Sequence, residues 1–152
     1  MIKTRLLEIW LAGRMLAWLL VLPLLKRLMP LPALVELMWA RPGTSRAFTP
    51  AEIDRMWRIG RWLAVRVWPR RAGTCLEQSL VLYRYLSARR ASPELVIGVR
   101  RHDASVGAHA WVTLNGLAVG DSADALAEFT PLVSFGSGGV PSGTVTLAPH
   151  LL

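Results

Sequence analysis

Apolar positions divide the chain into a helical first half and a stranded second half. Residues 6–25 read LLEIWLAGRMLAWLLVLPLL, broken by Glu8 and Arg14, with an uninterrupted apolar run only from Met15 to Leu25. A membrane-spanning helix needs about 20 apolar residues. No small-residue cleavage site follows the run; Lys26, Arg27 and Pro30 follow it instead. The pattern predicts a buried or interfacial helix ending near Pro23, then a short helix from Pro32 to Trp39. Arg41-Pro42-Gly43-Thr44-Ser45 is a polar break. Thr49-Pro50-Ala51-Glu52 then forms a capping box, with Thr at the N-cap, Pro at N1 and Glu at N3. Ile53, Met56, Trp57, Gly60, Leu63, Ala64 and Val67 share one face of the helix it starts. Arg55, Arg58, Arg61 and Arg66 lie largely off that face, and Pro69 ends the helix. A further helix starts at Thr74, a plausible N-cap. Its apolar stripe is Leu76, Leu80, Tyr83 and Leu86.

After a break at Ala91-Ser92-Pro93 the period changes to that of strands. Residues 94–100 (ELVIGVR) and 108–113 (AHAWVT) are predicted strands joined by a polar connection over 101–107. Asn115-Gly116 signals a hairpin into a third strand, Leu117 to Asp121. Phe129-Thr130-Pro131-Leu132 follows a short helical or loop stretch. The SFGSGGVPSG segment beyond it has the composition of a poorly ordered tail. The organisation expected is an α+β fold. It comprises an apolar helical region over 1–48, a core over 49–135 and a flexible tail over 136–152.

Composition changes this picture in three ways. At 152 residues the chain is long enough for one domain with a real core. A mean hydropathy of +0.36 is high for a soluble protein, and the excess sits before residue 40. The net charge of +8 suits a nucleic acid, an anionic membrane or an acidic peptide. No helix-turn-helix, RNA-stacking or zinc signature accompanies that charge, so nucleic acid is not expected as a partner. One cysteine excludes an intramolecular disulfide and a multi-cysteine zinc site. It fits a reducing cytosol, and a cytoplasmic location is expected. Membrane association of the first helix is a secondary reading, motivated by Trp10, Trp18 and the flanking Lys and Arg residues. No metal or cofactor is expected.

That cysteine, Cys75, falls in the first turn of its helix. There the helix dipole and free backbone N–H groups favour an anion, and so thiolate over thiol. Taken alone, a free cysteine is more often a small buried apolar residue. Two downstream groups reverse that balance. His109 lies in a strand between Ala108 and Ala110, and Asp121 closes the next strand. Imidazole can take a thiol proton, and a carboxylate can orient the ring. Asp124 is the rival acid and Glu77 a distant third. His102 beside Asp103 is the rival base, and His150 lies in the tail. Strand alternation imposes a condition on this set. A two-residue Asn115-Gly116 loop pairs Leu114 with Leu117 and puts Asp121 opposite Ala110. A three-residue loop with a bulge at Gly116 opposes His109 to Asp121 and is preferred; a bulge nearer the site would also serve.

The segments TCLEQSLVLYRYL, ELVIGVRR, AHAWVTLNG, VGDS and FTPL together resemble the transglutaminase-like cysteine peptidases of lasso-peptide biosynthesis, over about residues 50–132. The resemblance implies a transglutaminase/papain-like core, with a cysteine-bearing helix packed on a small antiparallel sheet and extra N-terminal helices. It implies Cys75 as nucleophile, His109 as general base and Asp121 as orienting acid. It further implies a ribosomally made precursor peptide as substrate, cut between leader and core, usually after a threonine. A separate small leader-binding protein and an asparagine-synthetase-like cyclase are the partners it implies. Three other readings stand beside it: acyl transfer to an amine by the same triad, a non-enzymatic basic adaptor, and a membrane-peripheral scaffold.

Overall fold

The structure is a computed structural model describing residues 2–44, 46–68, 75–102 and 105–144. In chain order it runs α1 (Ile2–Leu28), α2 (Leu31–Met38), α3 (Pro50–Val67), α4 (Cys75–Ser87), β1 (Pro93–His102), β2 (Ser105–Leu114), β3 (Leu117–Ala118), α5 (Ala123–Leu126), β4 (Thr130–Phe135) and β5 (Pro141–Thr144). The strands form one antiparallel sheet in the order β3-β2-β1-β4-β5. The α+β architecture read from the sequence is the one observed.

The core is built around α4. From Glu77 to Ser87 only Gln78 and Arg84 escape full burial. One side of the helix packs on β1 and β2, and α1, α2 and α3 cover the rest. Met15, Leu19 and Leu22 of α1 join Leu34, Val35 and Met38 of α2, Met56 and Leu63 of α3, Leu80, Tyr83 and Leu86 of α4, and Leu95, Val112 and Phe135 of the sheet. Residues before and after position 48 therefore share one hydrophobic core. The capping box at Thr49 forms as expected: Glu52 N–H donates to Thr49 Oγ1 at 3.3 Å, and Thr49 N–H donates to Glu52 Oε2 at 2.8 Å. Arg46 and Thr49, by hydrogen bonding to the Glu52 carboxylate, hold it down to about 2.

Four expectations are corrected. The first helix does not end near Pro23 but continues to Leu28. Proline removes one backbone hydrogen bond there, yet Leu19 and Leu22 are fully buried just before it, and Lys26 reaches Glu77 at 2.7 Å just after it. Packing on both sides of the residue holds the helix through. The polar stretch 101–107 is no plain connection, because β1 and β2 stay paired out to His102 and Ser105. Its polarity reports exposure, whereas backbone pairing needs no apolar side chain. The third strand is only two residues long, and β4 and β5 add two strands to the three expected.

The glycine-rich segment is the fourth correction. Over 136–144 it is ordered, forming a 3₁₀ turn at Ser137–Gly139 and then β5. Gly139, at φ 71°, lies so close to the Glu36 backbone that a Cβ would collide with it. The buried Tyr83 hydroxyl donates to Gly136 O and accepts from Gly139 N at 3.2 Å. Glycines that read as disorder thus permit a tight turn against α2. Residues 145–152, including His150, lie outside the described residues, as does the Thr74 cap.

Burial pushes the Tyr83 hydroxyl up to about 12. Folding stability is then fully present below pH 10, the unfolded value, and falls as pH rises toward 12, because the unfolded chain gives up the proton first. Tyr83→Phe is expected to destabilise the fold by about 1–3 kcal/mol through the unpaired turn groups it leaves. It should also flatten the alkaline loss of stability. Urea unfolding followed by circular dichroism between pH 7 and 11.5 measures both effects, and a variant as stable as wild type at pH 7 contradicts this role for Tyr83.

Candidate active site

A cleft of about 270 Å³ lies between α3, the first turns of α4 and the outer edge of β2. Cys75, His109 and Asp121 all line it, together with Trp57, Arg61 and Gln78. The cleft opens where the sheet is incomplete. β3 pairs only with Thr113 and Leu114, so it leaves the outer edge of β2 uncovered at 109–111. Cys75 is the first residue of α4, partly exposed and not in a disulfide. One turn further along, Ser79 Oγ donates to the Ala110 carbonyl at 2.9 Å. That buried bond ties the cysteine helix to the strand at the residue next to His109.

His109 Nε2 lies 3.6 Å from Asp121 Oδ1, and both side chains are about a quarter exposed (26%). Two aromatic rings confine the imidazole. Trp111 stacks on it with centroids 5.9 Å apart and planes inclined by 21°, and Phe129 lies 5.2 Å away. The Trp111 ring has room because the cross-strand neighbour of His109 is Gly98. A Cβ there would come within 2.8 Å of the indole and 2.9 Å of the Thr130 carbonyl.

The loop that delivers Asp121 differs from the one preferred on sequence grounds. Asn115 and Gly116 both have positive φ, 51° and 79°, and pair Leu114 with Leu117 in a two-residue hairpin. Continued, that register would set Asp121 against Ala110. It stops instead after Val119 N–H donates to Val112 O at 2.8 Å, and Gly120 at φ 84° turns the chain. The irregularity thus lies beside the site and brings Asp121 to His109. The rival acids are placed elsewhere. Asp124 is exposed on α5 and does not line the cleft, and the buried Glu77 is paired with Lys26. The side chains of His102 and Asp103 lie outside the described residues.

Gly120 and Trp57 are the residues that pattern reading missed. A Cβ on Gly120 would overlap the Trp57 indole, so this position needs glycine both for its φ and for space. The sequence held one signal, a glycine immediately before a candidate acid. An imidazole beside a carboxylate, in one cleft with a thiol, has the chemistry to accept the thiol proton and return it to a leaving group. Gly120→Ala is expected to displace Asp121 and cost at least about tenfold in any activity of the cleft. A crystal structure of the variant with the His109–Asp121 approach unchanged contradicts this.

The comparisons with known proteins agree with this geometry at the level of family. No curated protein and no solved structure matches the chain. The model of the transglutaminase-like superfamily matches residues 18–134, from within α1 to within β4. That superfamily includes cysteine peptidases and acyltransferases. With well over half of its length matched, the chain belongs to the transglutaminase-like superfamily.

Proposed function

We propose that this protein is a cysteine peptidase that removes the leader from a ribosomally synthesised lasso-peptide precursor. The observation that carries the enzymatic part is the convergence of Cys75, His109 and Asp121 on one cleft, with the imidazole 3.6 Å from the carboxylate. The lasso-peptide part rests on the resemblance of residues 50–132 to leader peptidases. The enzyme works in the cytoplasm, receives its substrate from a separate leader-binding protein, and precedes an asparagine-synthetase-like cyclase.

In this reading His109 takes the Cys75 proton, and the thiolate attacks the carbonyl carbon at the leader–core junction. The C–S bond forms as the carbonyl electrons move to oxygen. The Cys75 backbone N–H, at the helix start, donates to that oxyanion. Among the described residues Gln78 is the one side-chain amide lining the cleft, and it supplies a second donor. Collapse breaks the C–N bond, and imidazolium protonates the departing amine, which is the new N-terminus of the core peptide. Water, deprotonated by His109, then attacks the thioester and releases the leader carboxylate and the thiol. Arg61, exposed at the cleft with its guanidinium over the Trp57 ring, supports this reading as the group that meets an acidic side chain of the precursor. An amine in place of water would give transamidation from the same thioester.

Cleavage of a precursor peptide, in the presence of the leader-binding protein, is the direct test by mass spectrometry. Wild type should give one cut at the end of the leader with a free carboxylate, and Cys75→Ala should give none. His109→Ala should lose about 10²–10⁴-fold, and Asp121→Asn should lose less because the side-chain shape stays. Cleavage that survives Cys75→Ala rules the peptidase reading out. An amide product formed from added amine in preference to the acid favours the transferase.

A further inference from the structure

Helix α1 has two apolar faces, and the fold uses one. Met15, Leu19 and Leu22 point into the core with 0–1% exposure. On the opposite side Ile9, Ala17, Leu20, Val21, Leu24 and Leu28 are all exposed, Leu28 by 71%. At 1.5 Å per residue this second stripe runs about 30 Å. It is an unbroken apolar strip of the kind that marks an interaction surface. The segment Glu8–Leu28 is also long and apolar enough to cross a membrane. Crossing would pull Met15, Leu19 and Leu22 out of the core they share with α4, so the helix is restricted to lying along a surface.

Charge selects the surface. Exposed Arg14 and Arg27 border the stripe on its two sides at helical spacing. Arg14 stacks over the exposed Trp10 ring at 4.5 Å, pairing a cation with an amphipathic ring suited to a headgroup region. The acid nearest the N-terminal end of the stripe, Glu8, is taken by Arg55 at 2.6 Å. A second copy of this chain, itself at +8, would offer these arginines no free carboxylate on its own stripe. We infer that α1 docks the protein, lying in plane, on a lipid bilayer bearing acidic headgroups, with its hydrocarbon stripe submerged and Arg14 and Arg27 on the phosphates.

The test is sedimentation of the full-length protein with vesicles of phosphatidylglycerol and phosphatidylethanolamine, with phosphatidylcholine vesicles, and without lipid. The protein should pellet with the acidic vesicles well above the lipid-free control, and binding should weaken in high salt. Leu20→Asp/Leu24→Asp should abolish it. Arg14→Gln/Arg27→Gln, which leaves the apolar stripe intact, should weaken binding to the acidic vesicles roughly thirtyfold and leave phosphatidylcholine binding unchanged. Circular dichroism matched to wild type qualifies each variant; if the aspartate pair does not fold, the arginine pair decides. Failure to pellet with acidic vesicles, or pelleting that neither pair reduces, overturns the inference. So does a wild-type dimer, seen by light scattering, that ignores lipid and becomes monomeric in the aspartate pair, which would make the stripe an interface between copies.

Discussion

Burial of α4 on every side is the constraint from which the rest of the structure follows. A helix covered from Glu77 to Ser87 needs a sheet on one side and helices on the others, and α1, α2 and α3 supply those helices. The beginning of α4 reaches toward solvent, so the partly exposed Cys75 comes to lie at the rim of the core. The buried Ser79–Ala110 bond then sets the height of β2 against the helix, and so places His109. The thiol at the start of this helix and the imidazole on the strand bonded to it are thus positioned by one packed body. Preorganisation of this kind is what nucleophilic catalysis asks of a scaffold.

Asp121 is held by a different device. It lies beyond the end of β3, on irregular backbone fixed by Gly120 against Trp57. The aromatic walls Trp111 and Phe129 restrict the imidazole, while the sheet ends early enough to leave the cleft open beside it. The shortness of β3 therefore leaves the β2 edge beside His109 unpaired and releases the chain that carries Asp121.

Much of this was legible in the sequence where local chemistry decides the outcome. The Thr49–Glu52 capping box, the α3 face at Met56, Gly60, Leu63 and Ala64 and the α4 stripe at Leu80, Tyr83 and Leu86 are governed by neighbouring residues and formed as read, and Asn115-Gly116 turns the chain as a hairpin should. The readings that failed depend on contacts distant in the chain. Pro23 ends a helix in isolation, but not one whose next turn sends Lys26 to Glu77, 51 residues away. The glycines at 136, 138 and 139 suggest a loose tail until Tyr83 and the α2 backbone are placed beside them. The hairpin closes on two residues rather than the three preferred from the sequence, and its register breaks at Gly120 instead, because the need for glycine there arises from Trp57, 63 positions earlier. The three candidate groups could be named from their order and spacing, whereas their convergence on one cleft required the fold.

In the proposed reaction His109, oriented by Asp121, acts on the Cys75 thiol. As the only cysteine, Cys75 makes the rate of iodoacetamide alkylation as a function of pH a direct reading of that coupling, with no substrate or partner needed. Wild type should alkylate readily at neutral pH. His109→Ala should slow at pH 7 and recover its rate only as pH rises through the ordinary thiol range, and Asp121→Asn should fall between them. Superimposable pH–rate curves for wild type and His109→Ala would contradict the account.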